Sequence, residues 1–329
     1  MEVSQVFQTI DAHTCGEPLR IIVSGVPPIP GKSMLEKRQY FRDHLDPTRR
    51  ILMLEPRGHD DMYGCVITDP VREGSDLGVL FMHNEGYSTM CGHGVIALVT
   101  VVVQNGMIRD SSNIRIDAPA GLVKARANMD SGRVKDVTFE NVPSFVYAKD
   151  LRIENTSVDI VFGGAFYALV ESSVPIDGSH LSELRDLGMR IKHSIERSRD
   201  VVHPLDTGLH GIYGTIFTGP AKSAGSHKRN VTIFAEGEVD RSPCGTGTCG
   251  VVASLVERGS LRLNEPFVHE SIIGTTFVGR AIALTKVGKF EAVVPEVTGS
   301  AHVTGYHTFV VDPQDPVRTG FRITKPSNL

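Results

Sequence analysis

The sequence predicts a mixed α/β (α+β) chain built as two pseudo-symmetric halves, and three observations carry the prediction. Its 329 residues suffice for about two domains at roughly 150 residues each. Its 33 glycines and 18 prolines punctuate short β-branched runs, so most of the chain reads as strands and turns with a few helices. A motif built on Cys-Gly-x-Gly occurs twice in one register, each copy followed by an apolar segment.

Taken in chain order, segments 8–10, 19–24, 51–54, 65–68 and 77–82 read as strands separated by turn residues. Residues 33–44 set Met34, Leu35, Tyr40 and Phe41, then Leu45, at helical spacing among charges, and Asp46-Pro47 is a helix stop. The apolar stretch 95–103 is about half of the roughly 20 residues a membrane span needs, and glycines bound it, so it is a buried helix or strand. Residues 181–197 form a surface helix with Leu184, Leu187, Met189 and Ile191 inward, and 230–234 form a further strand.

Composition narrows the partner. Lys and Arg number 34 against 38 Asp and Glu, a net charge of −4, so no basic field draws the chain to nucleic acid or to an anionic membrane, and a small-molecule partner is expected. Five cysteines, Cys15, Cys65, Cys91, Cys244 and Cys249, are an odd number and a poor disulfide framework. With no signal-peptide pattern at the N-terminus, the expected location is cytoplasmic.

The repeat sets Phe81 against Phe234, Glu85 against Glu238, Cys91 against Cys244, Gly92 against Gly245 and Gly94 against Gly247, with no gap. The register continues through Val99 and Val252 and Val103 and Val256 to Gly106 and Gly259, where both apolar segments end. Each half thus carries strand, turn, cysteine, apolar helix and glycine stop. The division expected is 1–125, carrying Cys91 and rejoined by 300–329, and 126–299, carrying Cys244.

A cysteine at a helix entry meets unpaired backbone N–H groups and the positive end of the helix dipole, which favour a thiolate and lower its pKa from about 8.5 toward neutrality. The amides of Gly92, His93, Gly245 and Thr246 are placed to hold a carboxylate. Two such thiols on opposite sides of a carbon can invert it, one taking a proton while the other gives one, with no cofactor and no metal. Cys15, Cys65 and Cys249 lack repeat partners and read as buried packing. Two other classes have partial motifs. Gly245 to Gly250 fits G-x-G-x-x-G of an NAD-dependent oxidoreductase, although a polar run separates it from its strand. His83-Asn84-Glu85 with Pro243-Cys244 and Cys249 partly fits a zinc deaminase, although the cysteines are spaced too widely.

Met90-Cys91-Gly92-His93-Gly94 and Asp240-Arg-Ser-Pro-Cys244-Gly-Thr-Gly-Thr248 resemble the two signature blocks of the proline racemase family, which also holds hydroxyproline 2-epimerases and trans-3-hydroxy-L-proline dehydratases. The resemblance takes in Ile10-Asp-Ala-His-Thr14, Glu55 to Gly64, Leu77 to Met82 and Asn230 to Phe234, and so nearly the whole chain. It implies a diaminopimelate epimerase-like fold, in which each half wraps a curved mixed sheet around a central helix and the active site lies in the cleft. It implies Cys91 and Cys244 as the acid/base pair and the helix-start amides as the carboxylate site. His93 and Asp240 would hold the ring nitrogen, with Tyr63 and Phe234 as aromatic walls. The partner implied is an imino acid, proline or a hydroxyproline, and a homodimer is allowed.

Within the family the sequence points two ways. Dehydratases typically carry threonine at the second cysteine position, so Cys244 favours a racemase or 4-hydroxyproline 2-epimerase. Glu85-Gly-Tyr-Ser88 and Tyr213-Gly-Thr-Ile216 look closer to dehydratases, and a polar Ser88 and Tyr63 suit a hydroxylated ring. Trans-3-hydroxy-L-proline dehydration, alone or as a second activity, is the alternative.

Overall fold

The structure, a computed structural model, describes residues 3–323 except 154. Residues 324–329, the end of the segment expected to rejoin the first half, lie outside the described residues. Two curved sheets follow one plan. In the first, Glu17–Ser24 runs parallel to Tyr63–Thr68, which is antiparallel to Leu77–His83, itself parallel to Ile114–Ala118. In the second, Phe166–Glu171 is parallel to Gly214–Pro220, which is antiparallel to Lys228–Phe234, itself parallel to Phe267–Glu270.

Antiparallel strands extend each unit. Gln5–Thr14 and Ala301–Val311 flank the first on one side, with Gly121–Asp130 and Arg133–Glu140 on the other. The second closes into a ring, because Phe290–Gly299 pairs with both Thr276–Val287 and Ser144–Ile153. Phe290–Gly299 also pairs with Arg133–Glu140 and so joins the two sheets.

Among the described residues five α-helices accompany the strands: α1 (Met34–His44), α2 (Asp46–Met53), α3 (Gly92–Gln104), α4 (Leu181–Ser198) and α5 (Gly245–Glu257). Helix α3 is buried from Gly92 to Val102 against Gln5–Thr14, Arg133–Glu140 and Ala301–Val311, and α5 packs on Ser144–Ile153, Thr276–Val287 and Phe290–Gly299. Helices apolar on nearly every face belong inside a fold, and here each fills one sheet. The expected architecture, a curved mixed sheet around a central helix in each half, is the one observed.

Helix α1 starts where expected because Ser33 Oγ accepts from the Glu36 N–H at 3.1 Å, capping the first turn. In α4, Leu184 and Ile191 are buried as expected, while Leu187 and Met189 are half-buried, and Ile195 completes the inner face. The strand expected at 51–54 is a helix instead. Glu17–Ser24 and Tyr63–Thr68 are parallel, and parallel neighbours need a crossover, which α1 and α2 provide as α4 does in the second half. Pro47 opens the first turn of α2, and Ile51, Leu52 and Met53 are its buried face.

Candidate active site

In both halves a tight antiparallel hairpin delivers a cysteine to the start of the central helix. Tyr87–Ser88 folds back on Leu77–His83 before Cys91, and Glu238–Asp240 folds back on Lys228–Phe234 before Cys244. Each cysteine is the N-cap of its helix. Cys91 Sγ accepts from the Gly94 N–H at 3.2 Å, and Cys244 Sγ accepts from the Gly247 N–H at 3.3 Å. The copies differ in backbone, since Cys91 is extended at φ −145° whereas Cys244 sits at φ +59°, a region costly for a residue with a Cβ.

The two helix starts touch. A Cβ added to Gly92 would lie 2.5 Å from Gly245 Cα, and one added to Gly245 would lie 2.5 Å from Gly92 Cα. Both cysteines therefore border one narrow cavity of about 20 Å³. Of the residues named from the sequence, Cys91, Gly92, His93, Asp240, Cys244, Gly245 and Thr246 line it, with Tyr63 and Phe234 as walls. Ser88 stands one step back, hydrogen-bonded to the Tyr63 hydroxyl. Tyr213, whose hydroxyl is 3.1 Å from that of Tyr63, was named from the sequence only as part of a family motif, yet it also lines the cavity.

Tyr167 and Thr232 complete the lining and were missed. Thr232 was within reach of the sequence, because Asn230, Thr232 and Phe234 share one face of an alternating strand and Phe234 was named. Tyr167 carried no local signal: it arrives through the parallel pairing opposite Gly214, where its hydroxyl meets Thr246 Oγ1 at 2.7 Å.

Closure of the cavity dominates its electrostatics. Cys91 is 4% exposed and Cys244 5%. Burial pushes the Cys91 thiol well above its ordinary pKa, with the negative charge of Asp240 adding to the rise and the Gly94 N–H and Tyr63 hydroxyl opposing it. Cys244 is raised by burial first and Asp240 second. The expectation that the helix starts would bring these thiols toward neutrality is corrected: one N–H and a helix dipole do not offset full desolvation beside a carboxylate. Burial also raises the Asp240 carboxyl to about 6 against hydrogen bonding from Ser242, and lowers His93 to about 3. His93 is thus a neutral ring at pH 7, with Nδ1 3.2 Å from Cys91 Sγ.

Glu17 and Arg241 tie the halves together behind Asp240. Glu17, fully buried, accepts from the Arg241 backbone N–H at 2.8 Å and from its guanidinium at 3.1 Å, while Arg241 also donates to the Asp61 carbonyl. Thr14 Oγ1 donates to the His93 carbonyl at 2.8 Å.

A model of the family described as proline racemase matches residues 9–322. The chain belongs to the proline racemase family. A trans-3-hydroxy-L-proline dehydratase of Bacillus thuringiensis subsp. konkukian is 53% identical over 331 residues, covering 98% of this chain and 99% of the relative. A proline racemase of Acetoanaerobium sticklandii is 43% identical over 336 residues, covering 98% of this chain and 100% of the relative. The crystal structure of a hydroxyproline epimerase from Agrobacterium vitis with bound trans-4-OH-L-proline aligns at a TM-score of 0.92 and 30% identity, over 99% of this chain and 98% of that one.

In this proline racemase family chain the other two motif readings find no structure. Gly247 and Gly250 lie inside α5, where an added Cβ would meet Ile216 at 2.9 Å and Val161 at 2.6 Å, leaving no room for a pyrophosphate. His83 pairs with Glu238 at 3.1 Å and Cys249 is wholly buried in core packing, so the deaminase half-motifs do not assemble.

Proposed function

We propose that this chain inverts Cα of proline or a hydroxyproline by proton transfer between two thiols. The observation that carries the reading is the pair of repeat-equivalent cysteines, each capping a helix start, on one closed cavity. The substrate carboxylate would rest on the amides of Gly92, His93, Gly245 and Thr246, where two helix dipoles converge. Its ring nitrogen, cationic when protonated, would lie against Asp240 with His93 beside it. That cation offsets the negative charge which raises both thiols, and it acidifies the Cα proton. Tyr63 and Phe234, ring centroids 5.9 Å apart, bound the ring. One cysteine takes the Cα proton and the other returns one to the opposite face, so the step balances without an electron acceptor.

The second reading is dehydration of trans-3-hydroxy-L-proline. The hydroxyls of Tyr63 and Tyr213 at the cavity wall, with Ser88 behind Tyr63, favour it, as does the likeness to the Bacillus relative. Among the described residues no helix is long and apolar enough to cross a membrane. Five free cysteines support our placing the chain in the cytoplasm. The test is incubation with L-proline, trans-4-hydroxy-L-proline and trans-3-hydroxy-L-proline in heavy water, following Cα exchange, optical rotation and pyrroline formation. Exchange with inversion supports the first reading and pyrroline supports the second, while no exchange on any substrate contradicts both.

A further inference from the structure

We infer that Thr248 and His269 are positioning residues for Cys244. A relay of hydrogen bonds from the buried His269 imidazole through the Thr248 hydroxyl to the Pro243 carbonyl holds the cysteine in its left-handed backbone and so keeps its thiol on the cavity. The inference rests on the function proposed above only in taking Cys244 as one of two acid/base groups, and it concerns side chains that do not line the cavity.

At φ +59° the Cys244 backbone is strained, and a residue stays in such a conformation only where its surroundings over-determine it. Two side chains do so here, one on each side. The Cys244 N–H donates to Ser242 Oγ at 3.1 Å, and the carbonyl just before it, that of Pro243, accepts from Thr248 Oγ1 at 3.1 Å. Thr248 is fully buried, one turn into α5, and its hydroxyl meets His269 Nδ1 at 2.9 Å. His269 arrives from the strand Phe267–Glu270 and is fully buried as well.

Protons can be assigned along the relay. Burial lowers the His269 pKa to about 3, so the ring is neutral and carries a single N–H. The one hydroxyl proton of Thr248 goes to the Pro243 carbonyl, so Nδ1 carries the ring proton and donates to Thr248. Nε2 is then a bare acceptor, buried without a hydrogen-bond partner among the described residues. The other tautomer would draw the hydroxyl proton away from Pro243 and strand an N–H instead. An unpaired buried polar atom is unfavourable, and its retention fits a ring held for its other nitrogen.

The first half is the natural control. Val95 stands four residues past Cys91 where Thr248 stands four past Cys244, and its side chain can make no hydrogen bond. Thr89 stands in the repeat where Ser242 does, but its hydroxyl donates to the Gly164 carbonyl at 2.7 Å. The ordinary helix bond is common to both copies, from the Val95 N–H to the Cys91 carbonyl at 2.9 Å and from the Thr248 N–H to the Cys244 carbonyl at 2.7 Å. Cys91 is extended and unstrained at φ −145°. Relay and strain thus occur together in one copy and are both absent from the other. Without the relay Cys244 can relax toward the geometry of Cys91, which turns its thiol away from Cα.

The experiment compares wild type with Thr248→Val, which keeps the shape and removes the hydroxyl, Thr248→Ser, which keeps the hydroxyl, His269→Leu, and the double variant Thr248→Val/His269→Leu. Thermal denaturation confirms folding. Iodoacetamide labelling of the native protein, mapped by mass spectrometry, reads the two thiols separately. Inversion is followed on L-proline or trans-4-hydroxy-L-proline, whichever the wild type turns over. Thr248→Val and His269→Leu are each expected to lower kcat by about tenfold to a hundredfold with KM nearly unchanged, the pattern of a displaced acid/base group. Both should label Cys244 about fivefold faster or more while Cys91 keeps its wild-type rate. Thr248→Ser should recover most of the turnover, and the double variant should lose no more than Thr248→Val alone, as for two members of one relay. Wild-type turnover or wild-type Cys244 labelling in Thr248→Val overturns the inference, as do additive losses in the double variant or a Thr248→Ser as impaired as Thr248→Val. If the wild type inverts neither substrate the proposed function fails, and the labelling contrast between Cys244 and Cys91 then decides this inference alone. Should His269→Leu not fold, the two Thr248 variants carry the test.

Discussion

Gly92 and Gly245 meet backbone to backbone, each leaving only 2.5 Å between the other's Cα and the place where its own side chain would begin. The contact fixes the spacing of the two helix starts and hence of the thiols that cap them. Neither neighbour is a flexible side-chain end, so an added methyl must push the halves apart. Gly92→Ala and Gly245→Ala are each expected to destabilise by about 1–3 kcal/mol, the range for overpacking, and to reduce turnover at least a hundredfold. Denaturant unfolding with Cα-exchange kinetics checks this, and an alanine variant with wild-type turnover would show that the spacing does not matter.

Removing either thiol separates the two chemistries. Cys244→Ser should lower inversion by about 10²–10⁴-fold, the scale of a lost acid or base, while dehydration partly survives because Cys91 remains. Cys91→Ser should lower both. Chiral chromatography and pyrroline absorbance read the two activities separately, and a Cys91→Ser protein that keeps both would show Cys91 misassigned.

Asp240 sets a pH dependence whose sign follows from burial. Its carboxyl titrates at about 6 in the folded chain against an ordinary 3.8. Below about pH 4 folded and unfolded chains both carry the proton. Between about 4 and 6 only the folded chain holds it, so raising the pH weakens the fold, and above 6 that loss is complete. Asp240→Asn keeps an acceptor for the Ser242 N–H, 2.8 Å from Oδ1, but carries no charge. It should raise the Tm of the ligand-free protein at pH 7, with the gain vanishing near pH 4. A pH-independent difference between the two melting curves would contradict this origin.

Arg241 is the one cation on Glu17 among the described ion pairs, and Glu17 is fully buried. Burial pushes the Glu17 carboxyl well above its ordinary pKa, and the Arg241 guanidinium opposes that rise. Arg241→Met should therefore destabilise by about 1–3 kcal/mol, the cost of leaving a buried acceptor unsatisfied, with the backbone N–H of residue 241 still reaching Glu17. Glu17→Gln in the same chain should recover part of that loss. Urea titrations of the single and double variants decide it, and a loss below about 0.5 kcal/mol would mean that the pair is not buried in solution.

What the sequence showed was what local chemistry determines. The Ser33 cap, the apolar runs after Cys91 and Cys244 and the stops at Gly106 and Gly259 each sit within a few residues of what they specify, and the repeat placed both cysteines before any coordinate did. Residues 51–54 were misread because an apolar run of that length fits strand or helix equally, and only the parallel pairing of Glu17–Ser24 with Tyr63–Thr68 decides for helix. The thiols were expected too acidic because a helix start is visible in sequence whereas the closure that desolvates it is not. Tyr167 reaches the site across a strand pairing of distant residues, which no motif records.

The central claim is that one thiol serves each face of Cα, and early-time isotope incorporation in heavy water tests it most directly. Starting from L-proline or trans-4-hydroxy-L-proline, whichever the protein turns over, each Cα epimer is isolated before a tenth of the substrate has reacted. Two opposed thiols predict deuterium at Cα of the inverted product while recovered substrate remains protiated. Equal deuterium in product and recovered substrate would mean that a single base works both faces, and would contradict the account.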